Sequence, residues 1–135
     1  MDLSEFKYPG SFKGRYPGVF VLVILQFIVG AIHAAIGICL VFAASSELGY
    51  NVYTLLYGVF TIIFGYGLWA SKKSGYLGTI IVSTLVIVVD VSAVLGMSLI
   101  AGVPRAAALG EIVYSLVVLA YLFQPKIIHV FKEAN

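Results

Sequence analysis

Residues 18–43 read GVFVLVILQFIVGAIHAAIGICLVFA, a run of 26 residues in which His33 is the only acid or base. An α-helix rises ~1.5 Å per residue, so about 20 apolar residues cross a hydrocarbon layer ~30 Å thick. The run is therefore long enough to span a membrane. It also exceeds the ~7–15 apolar residues of a signal peptide. We therefore expect a retained transmembrane helix.

Three further apolar runs follow, at residues 52–70, 76–100 and 107–124. Each run is continuous, whereas the strands of a membrane barrel would alternate between apolar and polar residues. Because the connections are short, consecutive helices should be antiparallel neighbours. The sequence predicts an all-α fold, a transmembrane up-down-up-down four-helix bundle that forms a single membrane domain over residues 1–135.

The composition of the whole chain agrees with this class. Of the 135 residues, 61% are hydrophobic and 10% are charged, against about 45–50% and about 25% in soluble domains. The mean hydropathy is +1.07. A net charge of +2 without a basic run argues against nucleic acid. The lone Cys39 excludes an intrachain disulfide and a cysteine zinc site. The expected partner is the lipid bilayer.

The basic residues predict the orientation. Seven of the eight fall on one side of the four predicted helices, and only Arg105 falls on the other. Cytoplasmic loops carry the excess of Lys and Arg. We therefore predict a multi-pass protein of the cell membrane with both termini and the SKKSG loop in the cytoplasm. The seven residues are Lys7, Lys13, Arg15, Lys72, Lys73, Lys126 and Lys132.

Small residues recur on one face of each predicted helix. The first helix has Gly30 and Gly37, and the second has Gly58 and Gly65, each pair seven residues apart. Residues at this spacing lie on one helix face. Membrane helices associate through small residues that let their backbones approach closely. These four glycines are the predicted helix-packing positions.

One polar residue from each helix is predicted at a similar depth, ~21–24 Å from the basic side. These residues, His33, Tyr57, Asp90 and Glu111, form the candidate intramembrane polar site. An acid in hydrocarbon costs roughly 2.5–3.5 kcal/mol, so Asp90 should have a partner, either His33 or Arg105.

Four interpretations of this site stay open. The cluster can be a hydrogen-bonded knot that fixes helix register, a proton or cation site, or a divalent metal site. Alternatively, Glu111 can sit in the first turn of the fourth helix, stabilised by the positive helix end. The metal interpretation lacks HxxxH and ExxH spacing, so we predict no metal and no cofactor.

Three functions follow from these patterns. The leading hypothesis is a non-enzymatic scaffold or accessory subunit, which forms a homo-oligomer or packs against a larger membrane protein. The alternative is a proton- or cation-coupled carrier or channel that uses the Asp/His/Glu cluster. A third is a membrane redox or lipid-modifying enzyme with metal or quinone in the bundle. Because no catalytic motif occurs in the chain, we expect no enzyme activity.

Four short motifs carry a resemblance that covers most of the chain. They are RYPG at 15–18, LQFIVG at 25–30, YGLW at 66–69 with Lys72 and Lys73, and YLFQP at 121–125. In these motifs the chain resembles small uncharacterised four-helix integral membrane proteins of bacteria and archaea. The resemblance implies the four-helix architecture and carries no activity to transfer.

Overall fold

The computed structural model describes residues 16–43 and 47–133. This part of the chain is helical and contains no strand. Four of its helices are long and apolar enough to cross a membrane. The predicted cytoplasmic residues Lys7, Lys13 and Arg15 lie outside the described residues. The helices are α1 (Pro17–Phe42), α2 (Leu48–Trp69), α3 (Lys73–Val94), α4 (Arg105–Leu122) and α5 (Pro125–Lys132).

In three of the four long helices the last residue lies within two residues of the predicted last residue. The exception is α3, which ends at Val94 rather than at residue 100. Gly96 causes the early end, because its φ of +78° is a left-handed conformation that glycine adopts without steric cost. The amide of Met97 donates to the Ser92 carbonyl over 2.9 Å, and that of Gly96 donates to the Ala93 carbonyl over 3.2 Å. This pair of bonds is a Schellman motif, which closes a helix.

Helices α1 and α2 pack closely on the glycines that the spacing had singled out. A Cβ added at Gly37 would lie 2.5 Å from the Leu55 Cα, and one added at Gly58 would lie 2.7 Å from the Gly30 carbonyl oxygen. Gly65 packs against a side chain instead, 3.1 Å from the Gln26 Oε1 by the same construction. All four glycines are buried. A larger residue at Gly58 would therefore push two backbones apart.

The end of the bundle at the SKKSG loop has a continuous apolar core. Side chains from all five helices form it, and α5 contributes Ile127 and Phe131, each 1% exposed. The Phe131 ring stacks on Tyr76 with 5.1 Å between centroids. The apolar face of α5 therefore packs into the protein. The apolar core comprises Val19, Leu22, Val23, Leu68, Tyr76, Val118, Leu122, Ile127 and Phe131.

Within the described residues, α1 and α4 approach each other less closely than the consecutive helices do. Long side chains bridge this seam. Glu111 reaches His33, and the Tyr121 ring lies over Gly18. Consequently, side chains rather than close backbone contacts close the α1–α4 seam.

Candidate functional site

A histidine and a glutamate meet across the α1–α4 seam. The His33 Nε2 lies 3.0 Å from the Glu111 Oε1, and the His33 Nδ1 lies 2.8 Å from the Val29 carbonyl oxygen. A carbonyl oxygen cannot donate, so Nδ1 must carry the proton of that second bond. The bond between Nε2 and Oε1 then holds one proton, on the imidazole or on the carboxyl. The His33–Glu111 pair is therefore a proton-holding link in either state.

Asp90 lies beside this pair, and its side chain is 0% exposed. No N–H or hydroxyl group of the described residues donates to its carboxyl oxygens, and its side-chain hydrogen-bond partner is the Glu111 carboxyl, with which it can share one proton. It interacts electrostatically with both Glu111 and His33. Of the two predicted partners, His33 attracts the Asp90 carboxyl electrostatically but forms its hydrogen bond with Glu111, and the Arg105 guanidinium lies near Gly96. A carboxyl buried beside a second carboxyl is costly when both are charged.

Tyrosine side chains enclose the cluster from α2 and α4. The Tyr57 ring meets the His33 ring edge-on at a centroid distance of 4.7 Å, and Tyr53 stacks on Tyr57 at 6.3 Å. The hydroxyl oxygens of Tyr53, Tyr57 and Tyr114 are buried without a hydrogen-bond partner in the described part of the chain. Tyr53 was not among the predicted site residues. Its position four residues before Tyr57 is the signal that would have found it.

The structure thus brings His33, Tyr57, Asp90 and Glu111 together, one from each long helix. It also excludes the interpretation in which Glu111 sits in the first turn of the fourth helix. Because α4 begins at Arg105, Glu111 lies beyond the first turn, where the influence of the helix end fades. Glu111 is 20% exposed and His33 19%, whereas Asp90 is sealed. The pair therefore stands between Asp90 and the surface of the bundle.

A second polar region lies nearer the SKKSG loop. The Gln26 Nε2 donates to the Thr79 Oγ1 over 3.3 Å, and the Thr79 Oγ1 donates to the Gly75 carbonyl over 2.8 Å. This chain of bonds fixes the Gln26 amide, whose Oε1 has no partner among the described residues. Beside it is a small cavity with room for about one water molecule. Its polar lining residues are Gln26, Tyr57, Thr61, Thr79, Ser83 and Tyr114.

The described residues contain no group of three or more His, Cys, Asp or Glu side chains that could hold a metal ion. The interpretation of His33, Asp90 and Glu111 as metal ligands therefore lacks the geometry it needs. The second His–Glu pair, His129 and Glu133, lies 3.7 Å apart on the surface of α5, with both side chains largely exposed. This surface pair provides a control for the His33–Glu111 pair at the α1–α4 seam.

No protein-family model matches the chain, and comparisons with curated proteins and with solved structures give no match.

Proposed function

We propose that the chain is an integral membrane protein whose long helices run up-down-up-down, with both termini cytoplasmic. Contacts support the alternation, since Gly37 meets Leu55 while Gln26 meets Gly65, in opposite order along α1 and α2. Gly67 likewise meets Gly75 across the next turn. The basic residues support the orientation. Lys72, Lys73, Lys126 and Lys132 are exposed near the SKKSG loop and α5, and Arg105 is exposed at the start of α4.

We further propose that the protein binds and releases a proton at Asp90, as a proton-coupled carrier or channel. One observation carries this proposal: a sealed carboxyl, whose hydrogen-bond partner is a second carboxyl, lies beside a His–Glu pair that holds a proton. A carboxyl kept at such a cost inside a membrane span marks a functional site by default. The titratable groups that face Asp90 are His33 from α1, Tyr53 and Tyr57 from α2, and Glu111 from α4.

The partly exposed pair provides the entry to Asp90. His33 and Glu111 are each about one-fifth exposed at the α1–α4 seam, while Asp90 is sealed behind them. A proton that arrives at the pair adds to the one already held there. The pair then returns to its single-proton state by passing one proton to the Asp90 carboxyl. The transfer involves protons only and needs no cofactor.

The scaffold hypothesis stays a prediction, because no contact in the described chain favours it. The Gly and Thr residues on one face of α2 would suit a helix-packing surface for a partner. They are buried inside the chain, so they are not free to bind one. They are Thr54, Gly58, Thr61 and Gly65.

Proton flux into liposomes tests the proposed function. Purified protein is reconstituted with a pH-sensitive dye inside, and a potassium diffusion potential drives protons across the bilayer. We expect flux above that of protein-free liposomes, and we expect Asp90→Asn to reduce it to that background. Glu133→Gln, which changes the exposed acid of the surface pair, is the matched control and should leave the flux unchanged. Equal flux from wild type and Asp90→Asn would overturn the proposal.

A further inference from the structure

The small cavity beside Gln26 adjoins the Asp90 cluster through one shared residue. The Tyr57 ring contacts His33, and the same side chain lines the cavity. Tyr114, on α4 three residues after Glu111, also lines it. We name this space the mid-bundle cavity, defined by the polar lining residues Gln26, Tyr57, Thr61, Thr79, Ser83 and Tyr114.

Four oxygens of this lining are buried without a hydrogen-bond partner among the described residues. They are the Gln26 Oε1, the Thr61 Oγ1 and the hydroxyls of Tyr57 and Tyr114. Gln26, Tyr57 and Thr61 are each at least nine-tenths buried. The link through Thr79 to the Gly75 carbonyl occupies the Gln26 amide nitrogen, so the Oε1 is left as an acceptor. The cavity therefore offers a fixed acceptor together with hydroxyls that can donate or accept.

These groups suit a water molecule better than a cation. The lining includes no carboxylate, so a cation there would be a buried charge without direct compensation. A buried water needs about 2–4 polar partners and space for about one molecule, and both conditions are met. Such a water donates to Gln26 and accepts from a tyrosine hydroxyl.

We infer that the mid-bundle cavity is a water-binding site that extends the proton path from the Asp90 cluster towards Gln26 and Thr79. This inference rests on the proposed function. Tyr57 joins the two regions, because a hydroxyl passes a proton along by accepting one and releasing its own. Beyond Gln26, towards the SKKSG loop, lies the apolar core, where Val23, Leu68 and Leu122 are each 0% exposed. A proton that has reached Gln26 from the Asp90 cluster therefore has only this core left to cross.

Magnetisation transfer from water, measured by solid-state NMR on the protein in liposomes, tests whether water enters the cavity. The method needs no reagent that must fit into a space for one molecule. Thr84 is the matched control for Thr61 and Thr79, since it carries the same side chain but lies exposed on the outer face of α3. We expect the Thr61 and Thr79 side chains to receive magnetisation from water several-fold faster than the Thr84 side chain.

Flux measurements test whether this water carries protons. Thr61→Val keeps the side-chain shape and removes the hydroxyl, so proton flux should fall at least several-fold, while Thr61→Ser should restore it. Thr84→Val makes the same change outside the cavity and should have no effect. Water transfer to Thr61 and Thr79 no faster than to Thr84, or wild-type flux from Thr61→Val, would overturn the inference and leave the proposed function standing if Asp90→Asn is inactive. Wild-type flux from Asp90→Asn would overturn both.

Discussion

The two ends of the bundle are built on opposite principles. At the SKKSG loop, α5 closes over an apolar core whose side chains are nearly inaccessible, with Phe131 stacked on Tyr76. At the other end, the interior holds Asp90, Glu111 and His33 with unpartnered oxygens around them. Close apolar packing stabilises a protein, whereas buried polar groups that lack partners cost stability. We therefore expect the first end to provide stability and the second to provide function.

We expect the largest effect on stability from a substitution in the apolar core. Phe131→Ala removes a ring that is 1% exposed and should lower the free energy of unfolding by about 3–5 kcal/mol. Phe123→Ala is the matched control, because the Phe123 ring is 54% exposed and has less packing to lose. Thermal unfolding in detergent compares the two. Equal stability of the two variants would mean that α5 adds little to the core.

The close approach of α1 and α2 should give a smaller effect. An alanine at Gly58 would bring its Cβ against the backbone of Ala34. We therefore expect Gly58→Ala to lower the free energy of unfolding by about 1–3 kcal/mol. Gly110→Ala is the matched control, since no atom lies within 4 Å of its added Cβ. That variant should leave the free energy of unfolding unchanged or raise it by up to about 1 kcal/mol, because alanine has a higher helix propensity than glycine. A stable Gly58→Ala protein would show that the contact can relax.

How much could be predicted differs between these features. The four long helices follow from the apolar runs, and the buried glycines lie on the faces that their spacing indicated. Gly96 was visible in the sequence, but its positive φ depends on the turn that follows α3. The amphipathic pattern of α5 does not distinguish a lipid surface from a protein core, so the burial of Phe131 required the structure.

For the polar site, the sequence likewise predicted the position of residues along the helices but not their contacts. Counting residues along the helices placed His33, Asp90 and Glu111 at one depth, and the structure brings them together. Depth alone does not determine rotation about each helix axis, which decides which side chains bond. The pairing of His33 with Glu111 in place of Asp90 therefore could not be derived from spacing, nor could the contribution of Tyr53.

We expect the smallest effect on stability from Asp90→Asn, and this variant distinguishes a hydrogen-bonded cluster that only fixes helix register from a functional site. If Asp90 fixed helix register through hydrogen bonds, Asp90→Asn would lower stability, because breaking a buried network is costly. Asp90 has one side-chain hydrogen bond, to the Glu111 carboxyl, and Asp90→Asn loses that contact but also relieves the repulsion between two buried acids. We therefore expect Asp90→Asn to leave the free energy of unfolding within about 1 kcal/mol of wild type while it abolishes proton flux.

Unfolding in detergent and flux in liposomes, measured on the same preparation, give the two readouts. Glu111→Gln is the informative companion variant, because it alters the 3.0 Å bond to His33 as well as the contact with Asp90. Stability should fall in Glu111→Gln and stay near that of wild type in Asp90→Asn, although both remove an acid from the same cluster. A loss of stability in both variants would favour the knot, and the cluster would then support the fold as the apolar core does.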